Sequence, residues 1–321
     1  MDLIERSSRN IQEAINYETL VCATRRAESY VEPLFEEVGT VIPMMNPMTV
    51  HPNTYADAFG LDPRELLEVH SRVKAQFLRL EASDLVLKRG DDAYPDWVAE
   101  VRGSPRFLYA RGDISLLDRK CVCVVGTRSP STEGKEYTKQ TVQALISHNV
   151  VIVSGLALGI DGIAHISTLA LGGQTVAVIG TPLTEVYPAE HRDLQRMIGE
   201  RGLVITRFSP ATQTQKWHFL VRNQLMSSLG SGSVVIEDRD GGGVVKQAHY
   251  ALEQDRCVVL FQHVVDNRSL LWPRRFSLKS GVLVVKKAEH IHARLFSKAR
   301  TPSRPTDEKR APDQLSLFDF S

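Results

Sequence analysis

The sequence feature that most constrains the fold is the stretch from residue 150 to residue 180, VVIVSGLALGIDGIAHISTLALGGQTVAVIG. Residues 150–153 are a β-branched run without a polar interruption, which is typical of a parallel strand covered on both faces. A glycine-rich turn follows, then a segment with helical spacing, then a second apolar run over residues 176–179. The pattern predicts a βαβ unit, and therefore a chain that contains a parallel sheet.

The turn inside this unit is a candidate phosphate-binding turn. Asp161 is predicted to be the N-cap of the helix that follows. Ile163, Ile166, Ala170 and Leu171 fall on one helical face, which we expect to be buried. Backbone N–H groups and the helix dipole favour an anion at such an N-terminus. The spacing is not G-x-G-x-x-G, and no acidic residue follows the second strand, so a merely tight turn between strand and helix is the alternative.

Composition limits the kinds of partner the chain can bind. The formal net charge is +1 over 321 residues, so nucleic-acid binding would have to come from a local basic pocket. No apolar run reaches membrane-spanning length and the first residues lack a signal peptide's apolar core, so we expect a cytoplasmic protein without membrane contact. The cysteines have no zinc-like spacing, so we expect reduced thiols, no metal and no cofactor. They are Cys22, Cys121, Cys123 and Cys257.

Three segments differ in character along the chain. Residues 1–83 are predicted to form a small helical accessory domain, in which the proline-rich residues 41–55 are expected to be a loop. Residues 84–298 alternate short apolar runs with helical segments, which predicts an α/β domain with a doubly wound, mostly parallel sheet. Residues 299–321 are polar and contain prolines, and we expect them to be a disordered tail.

Four segments after predicted strands carry residues suited to phosphate or nucleotide binding. Because the carboxyl ends of parallel strands lie along one sheet edge, we expect these segments to converge there. Each residue alone has an ordinary structural explanation, since a single arginine is usually solvated and a glycine triplet such as Gly241–Gly243 is usually a turn. The candidate ligands are Gly126, Thr127, Arg128, Ser154, Gly155, Ala157, Gly159, Asp161, Lys216, Phe219, Arg222, Asn223, Gly243 and Lys246.

Catalytic patterns are poor. The chain has no nucleophile elbow, no H-E-x-x-H and no paired-carboxylate motif. Glu237, at the end of an apolar run, is the carboxylate placed most like a catalytic group, and His165 follows the central turn. A structural role explains each of them at least as well. We therefore expect a binding protein without enzymatic activity.

The last residues of the tail form a candidate docking peptide. Gln314 is followed by Leu315, Leu317 and Phe318, a pattern that can enter a hydrophobic groove as an extended peptide. The alternative is that these apolar residues fold back onto their own domain. Because a polar, proline-bearing tether precedes them, we favour a partner protein.

Several dispersed motifs occur in the order of a known family over residues 94–295. They are Tyr94-Pro95, Val124-Val125-Gly126-Thr127-Arg128, Ser154-Gly155-Leu156-Ala157, Gly159-Ile160-Asp161 with Ala164-His165, Ala177-Val178-Ile179-Gly180-Thr181, Tyr187-Pro188 with Glu190, and His218-Phe219 with Arg222-Asn223. In these motifs the chain resembles the DNA-processing protein A (DprA/Smf) family. The resemblance implies an extended Rossmann-like domain that binds single-stranded DNA in a basic pocket and forms a homodimer.

The resemblance also implies a cellular role and partners. Family members help load a RecA-type recombinase onto single strands during DNA uptake (natural transformation) or recombination. By motif, the pocket would include Arg128, Ser154, Gly155, Arg222 and Asn223. Residues 314–318 resemble the peptide that binds the bacterial sliding clamp, which would tether the protein to sites of replication or repair.

The chain departs from the family pattern inside the motifs. Leu158 and Gln224 stand where the family commonly has arginines, and Leu220 stands where it has proline. The family's Gly-Ser-x-x-Thr-Ala loop is GVVKQA at residues 243–248. The loss of two cations is expected to weaken phosphate binding, and the lysines at 216 and 246 are candidates to compensate.

Two other functions remain open. Related Rossmann-like proteins bind or cleave nucleotides, and Glu237 with the glycine loop at 241–243 could hold a ribose phosphate. The chain lacks the Pro-Gly-Gly-x-Gly-Thr signature of those nucleotide-cleaving enzymes. An interaction scaffold whose pocket has no ligand is the third interpretation.

Overall fold

The computed structural model of the chain describes residues 3–239 and 242–296. Over these residues, nine strands form one sheet in the order β1-β2-β6-β5-β4-β3-β7-β8-β9. The pairs β1–β2 and β2–β6 are antiparallel and all others are parallel. The strands are β1 (Leu85–Lys88), β2 (Phe107–Gly112), β3 (Cys121–Val125), β4 (Val151–Ser154), β5 (Thr175–Val178), β6 (Leu203–Thr206), β7 (Gly232–Val235), β8 (Cys257–Phe261) and β9 (Val282–Val285).

Helices precede the sheet and connect its strands. They are α1 (Leu3–Thr24), α2 (Glu28–Gly39), α3 (Pro52–Phe59), α4 (Pro63–Phe77), α5 (Asp96–Ala99), α6 (Thr132–Ile146), α7 (Ile160–Ala170), α8 (Arg192–Arg201), α9 (His218–Leu229), α10 (Gly243–Glu253), α11 (Gln262–Asp266), α12 (Trp272–Phe276) and α13 (His290–Phe296). This confirms the predicted α/β class, with a mostly parallel sheet preceded by helices. Among the described helices, none is both long enough and apolar enough to cross a membrane.

The first four helices share a hydrophobic core with one part of the sheet. Phe35 and Tyr55 from these helices are packed in one cluster with Phe107 and Tyr109 of β2. A second core is built on β3, β4, β7 and β8 and on helices α6, α9 and α10. The domain boundary expected at residue 84 stays a prediction, as do the predicted features of residues 299–321, which lie outside the described residues.

Arg106 anchors the helical region to the sheet. Its guanidinium, only 4% exposed, donates to Glu13 at 2.7 Å and to Glu32 at 2.9 Å, and also to Glu36. Burial acts to lower the pKa of this guanidinium, but the hydrogen bonds to Glu36 and Glu13 outweigh burial and raise its pKa above the ordinary value. The guanidinium carbon also lies 5.0 Å from the ring centroid of Phe35. Every side of this buried cation is therefore occupied.

Two local predictions are wrong. Helix α3 begins at Pro52, inside the stretch expected to be a loop, because proline suits the first helical position, where its missing N–H costs no hydrogen bond. The predicted buried face of α7 is largely turned to solvent, since Ile166 is 54% exposed and Leu171 is 52% exposed. The buried face instead carries small and polar residues, Ala164, His165 and Thr168 among them. Close packing against neighbouring elements selects these smaller side chains over the larger apolar ones.

Candidate functional site

The turns after β3, β4 and β7 meet the first turns of α9 and α10 in a cleft of about 280 Å³. This is the sheet edge at which the sequence predicts convergence. Most of the candidate ligands line the cleft. They are Gly126, Thr127, Arg128, Ala157, Asp161, Phe219, Arg222, Asn223 and Gly243. Gly155 lines an adjoining recess.

Arg222, on α9, is the most deeply placed cation of the cleft. It is 5% exposed, and its Nη1 donates to the carbonyl oxygen of Val178 at 2.8 Å. Its Nε has no hydrogen-bond partner among the described residues. Burial lowers the pKa of this guanidinium, while the charge of Asp161 acts to raise it. A Cβ at position 155 would overlap the guanidinium, so glycine is needed there for Arg222 to lie over the turn after β4.

Asp161 lies in the first turn of α7 and is not its N-cap, contrary to the sequence prediction. Gly159 occupies the N-cap position with φ +82°, a conformation that favours glycine, and a Cβ there would also overlap the Thr127 carbonyl oxygen. The Asp161 carboxylate instead accepts a hydrogen bond from the Ala157 N–H at 3.4 Å. Burial raises the pKa of Asp161, and the nearby Arg222 charge opposes that increase. Asp161 therefore braces the turn and balances the buried arginine.

Glu237 and His165 serve the scaffold around the cleft. Glu237 accepts from the N–H and the hydroxyl of Ser131, both at 2.9 Å, and so holds the start of α6. The Thr175 hydroxyl donates to the Ile152 carbonyl at 2.8 Å, so His165 Nδ1–H is the donor in its 2.7 Å contact with Thr175. Burial lowers the pKa of His165 to about 3, so this imidazole is neutral.

Several candidate ligands do not face the cleft. The Ser154 hydroxyl is fully buried and donates to the carbonyl oxygen of Val124 at 2.7 Å. Lys216 and Lys246 are exposed and lie outside its lining, and Gly159 contributes only its backbone turn. Gln224, at a position where the family commonly has arginine, donates instead to the Arg102 carbonyl at 3.0 Å. Gly241 and the peptide at residues 314–318 lie outside the described residues.

A narrower recess of about 40 Å³ continues from the cleft. It shares Arg128 and Arg222 with the cleft and adds Leu158 and Tyr187. The rings of Tyr187 and Phe219 lie 4.9 Å apart at a tilt of 48°. The exposed Arg128, the buried Arg222 and this aromatic pair form one continuous surface, which suits phosphates and bases of a polynucleotide.

Sequence reasoning missed two polar residues of the cleft, Asp238 and Gln247. Asp238 follows β7, and its carboxylate accepts from the indole N–H of Trp272 at 2.8 Å. Gln247 lies on α10, where the sequence shows only a departure from a family loop. Within the residues that the structure describes, no group of three His, Cys, Asp or Glu side chains is arranged to hold a metal ion.

The fold and the cleft define a Rossmann-like α/β protein with a cleft, lined by two arginines, at the carboxyl edge of its parallel strands. A family model described as DNA recombination-mediator protein A matches residues 85–294. The chain belongs to that family, as its motifs indicate.

Similar proteins carry the DprA name. The DNA processing protein DprA of Streptococcus pneumoniae is 39% identical over 168 residues, 52% of this chain and 59% of that protein. The chain spans somewhat more than half the length of the first curated relatives it matches. The X-ray structure of S. pneumoniae DprA superposes with a TM-score of 0.66 at 26% identity, covering 91% of this chain and 98% of that one.

A second structure describes a DprA from Helicobacter pylori and its mode of binding single-stranded DNA. It superposes with a TM-score of 0.55 at 25% identity, covering 66% of this chain and 95% of that one.

Proposed function

We propose that this chain binds single-stranded DNA in the cleft and acts in DNA processing and recombination without catalysing a reaction itself. The observation that carries the proposal is Arg222, a buried guanidinium with one carbonyl partner and an Nε that no described residue contacts. A buried cation keeps unused donors at a cost, and an anionic ligand would satisfy them. The single-stranded DNA ligand of the H. pylori relative supports this choice.

The geometry favours a phosphate on the Arg128 side of the cleft and bases beyond it. Arg128 is exposed beside the buried Arg222, and Tyr187 and Phe219 flank them. An aromatic pair next to two arginines permits stacking of unpaired bases, which a duplex does not offer. We therefore propose a preference for single strands over duplex DNA.

The cleft also contains carboxylates, which limits the strength of the site. Asp161 and Asp238 line it together with the two arginines. Their charges reduce the positive potential that a phosphate meets, and Leu158 adds none where the family commonly has arginine. We propose that the affinity for DNA is modest, and that tethering by the clamp-binding-like peptide raises the local concentration of DNA.

Fluorescence anisotropy with labelled oligonucleotides tests the DNA proposal. We expect saturable binding that prefers single strands, is lost in Arg222→Ala, and is kept in the matched control Arg196→Ala, an exposed arginine of α8. Two phosphate-contacting arginines predict a slope of about −1.4 for the logarithm of affinity against the logarithm of salt concentration. The absence of binding at low salt would overturn the proposal, and a nucleotide screen would then test the nucleotide-enzyme alternative.

The partner proposals need separate tests. Deletion of residues 314–321 should abolish co-elution with the sliding clamp and leave DNA affinity unchanged, and unaltered co-elution would contradict the tether. We also propose a homodimer that helps load a RecA-type recombinase onto single strands. Light scattering gives the oligomeric state, and recombinase filament growth on DNA coated with single-strand-binding protein gives the loading activity.

A further inference from the structure

One end of the cleft, the part that is not shared with the recess beside Arg128 and Arg222, carries hydrogen-bond acceptors. Gln247 is 1% exposed, and its Nε2 donates to the Ser233 hydroxyl at 3.2 Å. Its Oε1 is buried and has no hydrogen-bond partner among the described residues. A buried carbonyl oxygen without a donor costs free energy, so this atom marks a place where an N–H group of a ligand would be stabilising.

The surrounding hydrogen bonds fix which end of the Gln247 amide lacks a partner. The Cys123 thiol donates to the Met226 carbonyl oxygen at 3.0 Å. Hydrogen bonding with Ser233 acts to lower the pKa of this thiol. The amide N–H₂ of Gln247 lies against the Ser233 hydroxyl at 3.2 Å, so its carbonyl oxygen is the atom without a partner among the described residues.

Asp238 gives the same end of the cleft a second acceptor. It is 5% exposed, and one of its oxygens accepts from Trp272. A carboxylate offers only acceptors, and it repels a phosphate. The apolar side chains of Met226 and Val244 complete this end of the cleft. Arg128 and Arg222 line both the cleft and its recess, whereas Gln247, Asp238, Met226 and Val244 line the cleft alone, so these acceptors lie in the part of the cleft that the recess does not share.

We propose that this end of the cleft binds a nucleobase of the DNA strand through its amino group, and so favours adenine, cytosine and guanine over thymine. The inference rests on the proposed DNA function. An amino group is a strong donor for Gln247 Oε1 and for the Asp238 carboxylate. Thymine has one ring N–H between two carbonyl oxygens, and those oxygens would face acceptors. Gln247 is where the family has threonine, so this preference belongs to the present chain.

Competition anisotropy tests the inference with a labelled thymidine homopolymer as the probe. The competitors are the same homopolymer and versions with a central dA, dC or dG. We expect each amino-bearing base to compete about five-fold better than thymidine, the worth of one net hydrogen bond. In Gln247→Met and Gln247→Thr the preference, measured within each variant as the ratio of competition by the amino-bearing and thymidine strands, should disappear.

The outcomes separate the two proposals. If the wild-type chain does not bind the homopolymer at low salt, the proposed DNA function fails. If it binds all four competitors equally, only the base-reading inference fails, and the wild-type protein alone gives this result even if a variant does not fold. If Gln247→Met keeps the preference, the base is read by other groups and the assignment to Gln247 is overturned.

Discussion

Among the residues that the structure describes, two arginines are buried, and they differ in what surrounds them. Arg106, which joins the N-terminal helices to β2, has three glutamates and several aromatic rings around its guanidinium. Arg222, in the cleft, is equally buried but has the Val178 carbonyl as a hydrogen-bond partner and a bare Nε. The two arginines are therefore alike in burial and differ in unused hydrogen-bonding capacity, which is the feature on which the proposed role of Arg222 in DNA binding rests.

The largest expected effect on stability comes from removing Arg106, whose guanidinium is surrounded by hydrogen-bond acceptors. Arg106→Met should lower the free energy of unfolding by about 3–5 kcal/mol, because it leaves Oε1 of the buried Glu13 without its two hydrogen bonds from Arg106, while Lys88 stays on Oε2. Urea denaturation followed by circular dichroism measures this change. A loss below about 1 kcal/mol, the value typical of an exposed ion pair, would show that Arg106 is not the anchor.

Glu18 shows a third way to bury an ionisable side chain, which is to hold it in the neutral, protonated form. Burial raises the pKa of Glu18 to about 7, the charge of Glu28 adds to this, and a hydrogen bond from Ser209 opposes it. Between the unfolded pKa near 4.5 and the folded value, the native state holds a proton that the unfolded state releases, so stability falls as pH rises through this window.

Glu18→Gln removes that titration. The variant and the wild type should have nearly equal stability at low pH, and at a pH above the folded value the variant should be more stable by about 2–3 kcal/mol. Thermal denaturation at both pH values, with the exposed Glu37→Gln on α2 as the control, measures the difference. A difference in stability between Glu18→Gln and wild type that is the same at both pH values would contradict the raised pKa of Glu18.

The same contrast explains how far sequence reasoning could reach. Short apolar runs alternating with helical segments predicted the mostly parallel sheet, because a strand buried on both faces, such as β3 or β4, is apolar along most of its length. The glycine turns and the Arg222-Asn223 pair placed most of the cleft, because topology brings strand ends together. Apolar runs and glycine turns are local features of the sequence, and each of them corresponds to one kind of structure.

Signals that depend on distant partners were missed. Arg106 meets Glu13 across 93 residues, and nothing in its own sequence neighbourhood indicates that contact. The exposed Ile166 and Leu171 belong to a set, with Ile163 and Ala170, whose spacing predicts a buried face, but α7 packs through Ala164 and Thr168 instead. The hydrogen bond from Gln247 on α10 to Ser233 on β7, on which the proposed acceptor role of Gln247 rests, also joins two separate elements. Such assignments need the assembled fold.

An added positive charge in the recess beside Arg222 should test the proposed DNA-binding role of that arginine. Leu158 is 41% exposed in the recess beside Arg128 and Arg222. Leu158→Arg should raise affinity for single-stranded DNA about five-fold and make the salt slope steeper by about 0.7, the contribution of one more phosphate contact. Leu171→Arg, which adds the same charge at the far end of α7, should change neither quantity. An equal gain in both variants would point to net charge instead of the cleft.

The smallest expected effect on stability belongs to Arg222. Arg222→Met removes a guanidinium whose pKa is lowered by burial, and it replaces one hydrogen bond with apolar packing. It also leaves Asp161 without a compensating charge, and the carboxyl can meet that loss by taking up a proton, since burial already raises its pKa. The two changes oppose each other, so the free energy of unfolding should shift by no more than about 1 kcal/mol, while DNA binding is lost. Urea denaturation of Arg222→Met beside Arg106→Met makes the comparison direct. A loss for Arg222→Met as large as that for Arg106→Met would mean that Arg222 is a structural residue, and the unused donors would then no longer identify a ligand site.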